Sequence, residues 1–162
     1  MTRKPSRRNR SRSTASERPP RPDPTPLDVA AGILRAAPRS EAELEARLVA
    51  KGYQPATAAA AVARCRELGW VGDAQLADDR ARRLRLRGAG SLRITADLAA
   101  RGLSEALIEA ATEASLEGEP ETAWAARALE RAGRLDGPAA WRLLASRGFP
   151  EDVIGAVLGW PE

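Results

Sequence analysis

From Leu27 onward the apolar residues recur at three- and four-residue spacings, broken by Gly, Pro and Ser instead of alternating with polar ones, which predicts helices and no strands. One pattern occurs three times: "LVAKGYQPATAAAAV" at 48–62, "LAARGLSEALIEAAT" at 98–112 and "LASRGFPEDVIGAVL" at 144–158, at spacings of 50 and then 46 residues. In each copy a Leu stands four residues before a Gly, a basic residue precedes that Gly, and a large apolar residue follows it: Leu48, Lys51, Gly52, Tyr53; Leu98, Arg101, Gly102, Leu103; Leu144, Arg147, Gly148, Phe149. Gly at that place ends a helix in a left-handed turn, and the basic residue faces the negative end of the helix dipole. Pro55, Ser104 and Pro150 then start the next helix.

Adding the segment upstream of each pair predicts three helices per unit: 28–36, 40–51 and 55–68; 73–87, 91–101 and 104–116; 120–132, 136–147 and 150–159. Ser40 with Glu43 forms a capping box, Asp73 and Ser91 are candidate caps, and Gly69–Trp70 is a helix stop with an apolar residue folding back. The second apolar pair after each Gly faces the core, as Leu107–Ile108 and Val153–Ile154; Thr57–Ala58 in the first copy predicts looser packing there. Units of about 45 residues bury small cores and stack on neighbours. The expected fold is all-α: an elongated, curved body of three tandem three-helix modules, 27–71, 72–118 and 119–162, behind a disordered basic tail, 1–26.

Composition sharpens this outline. Apolar residues make up 43% of the chain but aromatics only 4%, so Leu, Ala, Val and Ile build the core. Eight basic less two acidic residues give the tail +6; against a total of +4, residues 27–162 carry −2, so the basicity belongs to the tail. That Ser/Arg/Pro tail has little to bury; it reads either as an electrostatic arm toward phosphates or as a dispensable extension. There is no His, one Cys and no Walker pattern, which argues against an enzyme, a cofactor, a zinc site or a disulfide. The absence of an apolar span predicts a cytoplasmic protein that does not engage a membrane.

The candidate chemistry lies in "RRLRLRGAGSLR", residues 82–93. Its "GAGS" at 88–91 lacks a preceding strand and reads as a helix stop followed by a cap, not as a phosphate cradle. On a helical wheel Leu76, Ala77 and Leu84 share the core face, Arg82 and Arg85 point away from it, and Arg83 and Arg87 lie at its border. Arg80 shares the core side, stem packed and head in water. Asp78–Arg82 and Asp79–Arg83 are possible i,i+4 pairs, whereas Arg85, Arg87 and Arg93 have no acid at a matching spacing. Arg82, Arg83, Arg85, Arg87 and Arg93 are therefore the expected contacts to an anionic partner. Cys65 reads as a core residue, and Trp70, Trp124, Trp141 and Trp160 as packing residues.

The succession "CRELGWVGDAQLADDRARRLRLRGAGSLRITADLAARGLSEALIEAA", with the later "SRGFPEDVIGAVL", resembles the RecX regulatory proteins, bacterial modulators of the RecA recombinase, over residues 28–160. A Gly-Trp-Val-x-Asp segment, a basic helix ending in Gly and the repeated basic–Gly–apolar turn occur in the family's order. The resemblance implies an all-helical chain of three-helix modules that binds the groove of the RecA filament on single-stranded DNA, and the closed repeats suggest a monomer. Such binding would inhibit or disassemble the filament, lowering its ATPase, strand-exchange and co-protease activities. The other reading of the residues is a helical DNA-binding protein with weak, sequence-independent affinity through its basic tail.

Overall fold

A computed structural model describes residues 23–159. The described residues form nine helices and no strand: α1 Pro26–Ala36, α2 Glu41–Ala50, α3 Pro55–Glu67, α4 Asp73–Leu86, α5 Ser91–Ala99, α6 Glu105–Ala114, α7 Glu121–Ala132, α8 Gly137–Ser146 and α9 Glu151–Leu158. Every boundary lies within two residues of its predicted position. The first helix starts inside the stretch read as tail, because Thr25 and Asp28 close a capping box and Pro26 occupies the first helical position. Residues 1–22 and Trp160 lie outside the described residues.

Three apolar clusters hold the helices in triplets. Ala30, Leu44, Leu48, Ala58, Val62 and Cys65 centre the first. Ala77, Ala81, Leu84, Ile94, Leu98 and Ile108 centre the second. Trp124, Ala125, Leu144, Phe149 and Ile154 centre the third. The repeated leucines Leu48, Leu98 and Leu144 are each fully buried at the middle of their triplets. Extensive helix–helix packing occurs within triplets. The basic–Gly–apolar turns close as expected: Gly52, Gly102 and Gly148 have φ of 96°, 73° and 80°. At Gly148 the turn also carries the paired hydrogen bonds of a Schellman motif, Gly148 N to Ala145 O at 3.0 Å and Phe149 N to Leu144 O at 3.1 Å.

Adjacent triplets meet through helix ends, and the same joint is built twice. The start of α2 sits on the turn that closes α5: Ser40 Oγ donates to the Arg101 carbonyl at 2.5 Å, and Arg101 pairs with Glu43 at 3.2 Å. A methyl group on Gly102 would lie 2.9 Å from Ala42 Cβ. Likewise the start of α5 sits on the turn that closes α8: Gly90 N donates to Arg147 O at 2.9 Å and Leu92 N to Gly148 O at 3.0 Å. A Cβ on Gly90 would collide with the Gly148 backbone, so this approach requires the "GAG" glycine.

Several expectations on side chains change. Thr57 is exposed while Ala58 is fully buried, and Leu107 and Val153 are only half-buried beside buried Ile108 and Ile154. Asp73 does not cap its own helix; its carboxylate accepts from Glu41 N at 2.8 Å and so serves α2. Ser91 is not a cap either, since Gly90 takes that place. Trp124 is buried beneath Arg127, whose guanidinium lies 4.1 Å from the ring centroid, but Trp70 is 46% exposed and does not fold back into the core.

A candidate interaction surface where the second and third triplets meet

The arginine run of α4 divides among three environments. Arg85 is the main correction. The wheel placed it on the outer face, yet its side chain is 1% exposed and pairs with Glu121 at 2.8 Å. Its Nε donates to Ser115 Oγ at 3.2 Å and its Nη1 to the Ala89 carbonyl at 3.3 Å. The wheel assumed one buried face; the ends of α6 and α7 cover a second one near the C-terminus of α4. Glu121 stands 36 residues from Arg85, so no sequence spacing revealed the pair.

Glu121 also accepts from Ser91 N at 2.6 Å and from Ser91 Oγ at 2.9 Å. It thus caps α5 from another triplet while it neutralises Arg85. The amides of Gly90, Ser91 and Leu92 are all taken by protein acceptors, so "GAGS" has no free donors with which to cradle a phosphate. Arg80, expected to reach into water, instead makes a two-pronged pair with Asp97 of α5 at 2.8 and 2.7 Å. Hydrogen bonding from Arg80 holds the Asp97 carboxyl below its ordinary range and outweighs the opposing effect of burial.

Arg82 and Arg83 do face outward, although neither proposed i,i+4 ion pair forms. Arg82 pairs with Glu117 at 2.8 Å, both side chains well exposed, and Arg83 donates its Nε to the Asp79 carbonyl at 3.0 Å. An exposed pair of that kind contributes about 0–1 kcal/mol and exchanges readily for another anion.

Arg87 and Arg93 are exposed at the junction itself, and the third triplet brings two more arginines to them. Arg131, at the end of α7, donates Nη1 to the Leu86 carbonyl at 3.0 Å, next to Arg87. Arg147, which closes α8, extends over the "GAG" turn: a methyl group on Gly88 would lie 2.6 Å from its Nη1. Arg93 packs on the following residue, with Cβ 2.6 Å from where a methyl on Gly148 would stand. Among the described residues the ion pairs with acids engage Arg39, Arg64, Arg66, Arg80, Arg82, Arg85, Arg101 and Arg127, and none of Arg87, Arg93, Arg131 or Arg147.

Four arginines from four helices are therefore gathered at one junction, and none of them forms an ion pair with a carboxylate among the described residues. Of these four, the sequence singles out Arg87 and Arg93 as candidate contacts, and the structure adds Arg131 and Arg147 beside them. The signal for Arg147 was present, since it is the basic residue of the third repeated turn; its nearness to Arg87 depends on the joint. Three of the four close helices, where a cation offsets the carbonyl end of the dipole, and their common position adds a local positive potential suited to an anionic surface. No group of three or more possible metal ligands occurs among the described residues. Cys65 is buried, and burial raises its thiol pKa, the opposite of what a nucleophile requires. No described helix is long and apolar enough to cross a membrane.

Comparison with known proteins agrees with this architecture. The family model described as RecX, first three-helix domain, matches residues 27–65. The chain is 35% identical over 151 residues to the regulatory protein RecX of Stenotrophomonas maltophilia, covering 87% of this chain and 89% of that one. It is 37% identical over 139 residues to that of Chromohalobacter salexigens, covering 80% and 88%. The crystal structure of RecX from Lactobacillus salivarius superimposes with a TM-score of 0.65 over 83% of this chain and 92% of the other; at 16% identity that likeness speaks for the fold. A non-enzymatic, all-helical chain with this sequence kinship is a member of the RecX family of regulatory proteins.

Proposed function

We propose that the protein regulates the RecA recombinase in the cytoplasm by binding the groove of the RecA filament on single-stranded DNA, as a monomer, and inhibiting or disassembling it. In this reading it lowers ATP hydrolysis, strand exchange and co-protease activity without chemistry of its own. Family membership supplies the partner, and the unpaired cluster of Arg87, Arg93, Arg131 and Arg147 is the observation that carries the contact surface. Arg82 and Arg83 flank it on α4 as secondary contacts, whereas Arg85 acts from inside by holding the two triplets in register. Each triplet, 27–71, 72–118 and 119–162, serves as one module, so a chain of joined modules can span neighbouring filament subunits.

The test is DNA-dependent ATP hydrolysis by the cognate RecA, with the protein titrated well below one per recombinase subunit and binding to bare DNA measured at the same salt. Inhibition at such ratios without comparable DNA affinity supports filament regulation. Binding to DNA alone, falling steeply with salt and lost when residues 1–22 are removed, would favour the direct DNA-binding reading instead. Against that reading, of the three helices that a helix-turn-helix reader would lay in the groove, α3 carries only Arg64 and Arg66 and α6 and α9 carry no basic residue.

A further inference from the structure

The joint between triplets is used twice inside the chain, and the structure contains a third copy of its receiving half with none of the described residues seated on it. In each completed joint a basic–Gly turn receives the first turn of a helix. The turn offers a backbone carbonyl that needs a donor, and Arg101 in the first joint also offers a cation that needs an acceptor. The incoming helix end supplies both: a hydroxyl or amide for the carbonyl, and at Glu43 a carboxylate for the cation. A small residue fits between them, Ala42 against Gly102.

The corresponding turn of the first triplet is Lys51–Gly52. Both residues are exposed, a methyl on Gly52 would meet nothing within 4 Å, and their carbonyls take no hydrogen bond among the described residues. Beside the turn runs a groove of about 460 Å³ between α1 and α2, with Val29, Ile33 and Ala36 along its floor and Arg39, Arg47 and Lys51 at its rim. By the 50-residue repeat, Arg47 stands where the second triplet has Asp97, and Lys51 where it has Arg101. The second triplet spends Asp97 on neutralising Arg80 and Arg101. The first triplet has a second cation there, and neither Arg47 nor Lys51 pairs with an acid among the described residues.

We propose that this vacant half-joint is a docking surface for a helix N-terminus of a protein partner. That helix would carry a hydroxyl or glycine at its cap, a small residue at its second helical position and a carboxylate at its third. The phosphodiester of a nucleic-acid backbone offers only acceptors and would leave the turn carbonyls unmet, whereas a helix N-terminus brings donors and, at its third residue, an acid. A second copy of this chain does not supply the fit. The free helix start of its third triplet has Asp136 at the cap, already accepting from Ala139 N at 2.7 Å, and Pro138, which has no amide hydrogen, at the second position. The surface lies at the opposite end of the row of triplets from that free helix start, and away from the arginine cluster. If the RecA filament is the partner, as proposed above, the chain grips it at two separate places, and only the identity of the partner rests on that reading.

The first experiment uses the full chain, isotopically labelled for amide spectroscopy, and a blocked peptide of residues 37–50, whose "RSEAE" start is the helix end that the second triplet already receives. The expected result is saturable shifts at Val29, Ile33, Lys51 and Gly52, lost with an E43Q peptide and with K51E protein. Absence of shifts at millimolar peptide, or equal shifts with inorganic phosphate or single-stranded DNA at the same residues, overturns the proposal. The second experiment measures RecA-filament binding by an R47E/K51E variant whose helical content and melting temperature match the parent. At least a tenfold loss is expected, and binding at parental strength would overturn RecA docking at this surface. Should the parent itself not bind filaments, the RecA reading fails while the peptide titration still decides the half-joint.

Discussion

Glu121→Gln tests the joint between the second and third triplets. Glu121 makes three short contacts, to Arg85 at 2.8 Å, to Ser91 N at 2.6 Å and to Ser91 Oγ at 2.9 Å, and Arg85 is 1% exposed. Gln keeps the shape and an oxygen that can still accept from Arg85 and Ser91 N, which share one carboxylate oxygen, but it removes the charge and leaves the buried guanidinium with only neutral partners, Ser115 and Ala89 among them. Breaking one side of a buried pair costs about 3–5 kcal/mol; the retained acceptor places this substitution near the lower end. A loss of about 3 kcal/mol is a large part of the 5–15 kcal/mol that holds an ordinary domain together. Urea unfolding followed by circular dichroism reads it as a lower midpoint, with a shallower or split transition if the third triplet comes loose first. R82Q, which breaks the exposed pair with Glu117, serves as the control and should cost under about 1 kcal/mol. If E121Q costs no more than R82Q, the buried pair does not organise the joint. Because the penalty comes from an unpaired charge, R85M/E121L should recover at least half of it; a double variant as unstable as E121Q would refute that cause.

Four further outcomes follow from the same geometry. G90A places a methyl against the Gly148 backbone and should cost about 1–3 kcal/mol, whereas G72A, with nothing within 4 Å, should leave the urea midpoint nearly unchanged. The Asp97 carboxyl titrates below its ordinary range when folded, so its contribution is full above the unfolded-state pKa of about 3.9 and is lost as pH falls through the lower folded value. D97N should therefore be less stable than the parent at neutral pH and converge on it as pH falls below the ordinary carboxylate range, measured by urea midpoints from neutral to acid pH. R87E/R93E, at two exposed positions, should raise the concentration for half-inhibition of RecA at least tenfold, about 1.4 kcal/mol, with helical content unchanged. R131E/R147E should do the same, although neither residue lies in the arginine-rich run; inhibition retained in both variants would reject the cluster as the contact surface.

The sequence by itself determined the local architecture, because local architecture here is written in neighbouring residues. Leu48, Leu98 and Leu144 four residues before a Gly mark three core positions and three helix ends, and a left-handed turn favours Gly whatever packs around it. The Ser40–Glu43 capping box, the all-helical class and the family resemblance are equally short-range signals. What only the tertiary structure decided are the pairings between triplets. Arg85 looked like a surface residue because a helical wheel knows one core, and the second face came from α6 and α7, with Glu121 thirty-six positions away. Asp73 caps α2 of the preceding triplet through Glu41, 32 positions earlier, and Glu121 caps α5 in place of Ser91. Arg147 reaches over Gly88, next in the chain to Arg87, because Gly90 and Gly148 let two backbones touch. Charges and glycines lack the periodicity that reveals a core, since their partners depend on how completed helices are set against one another across the joints between triplets.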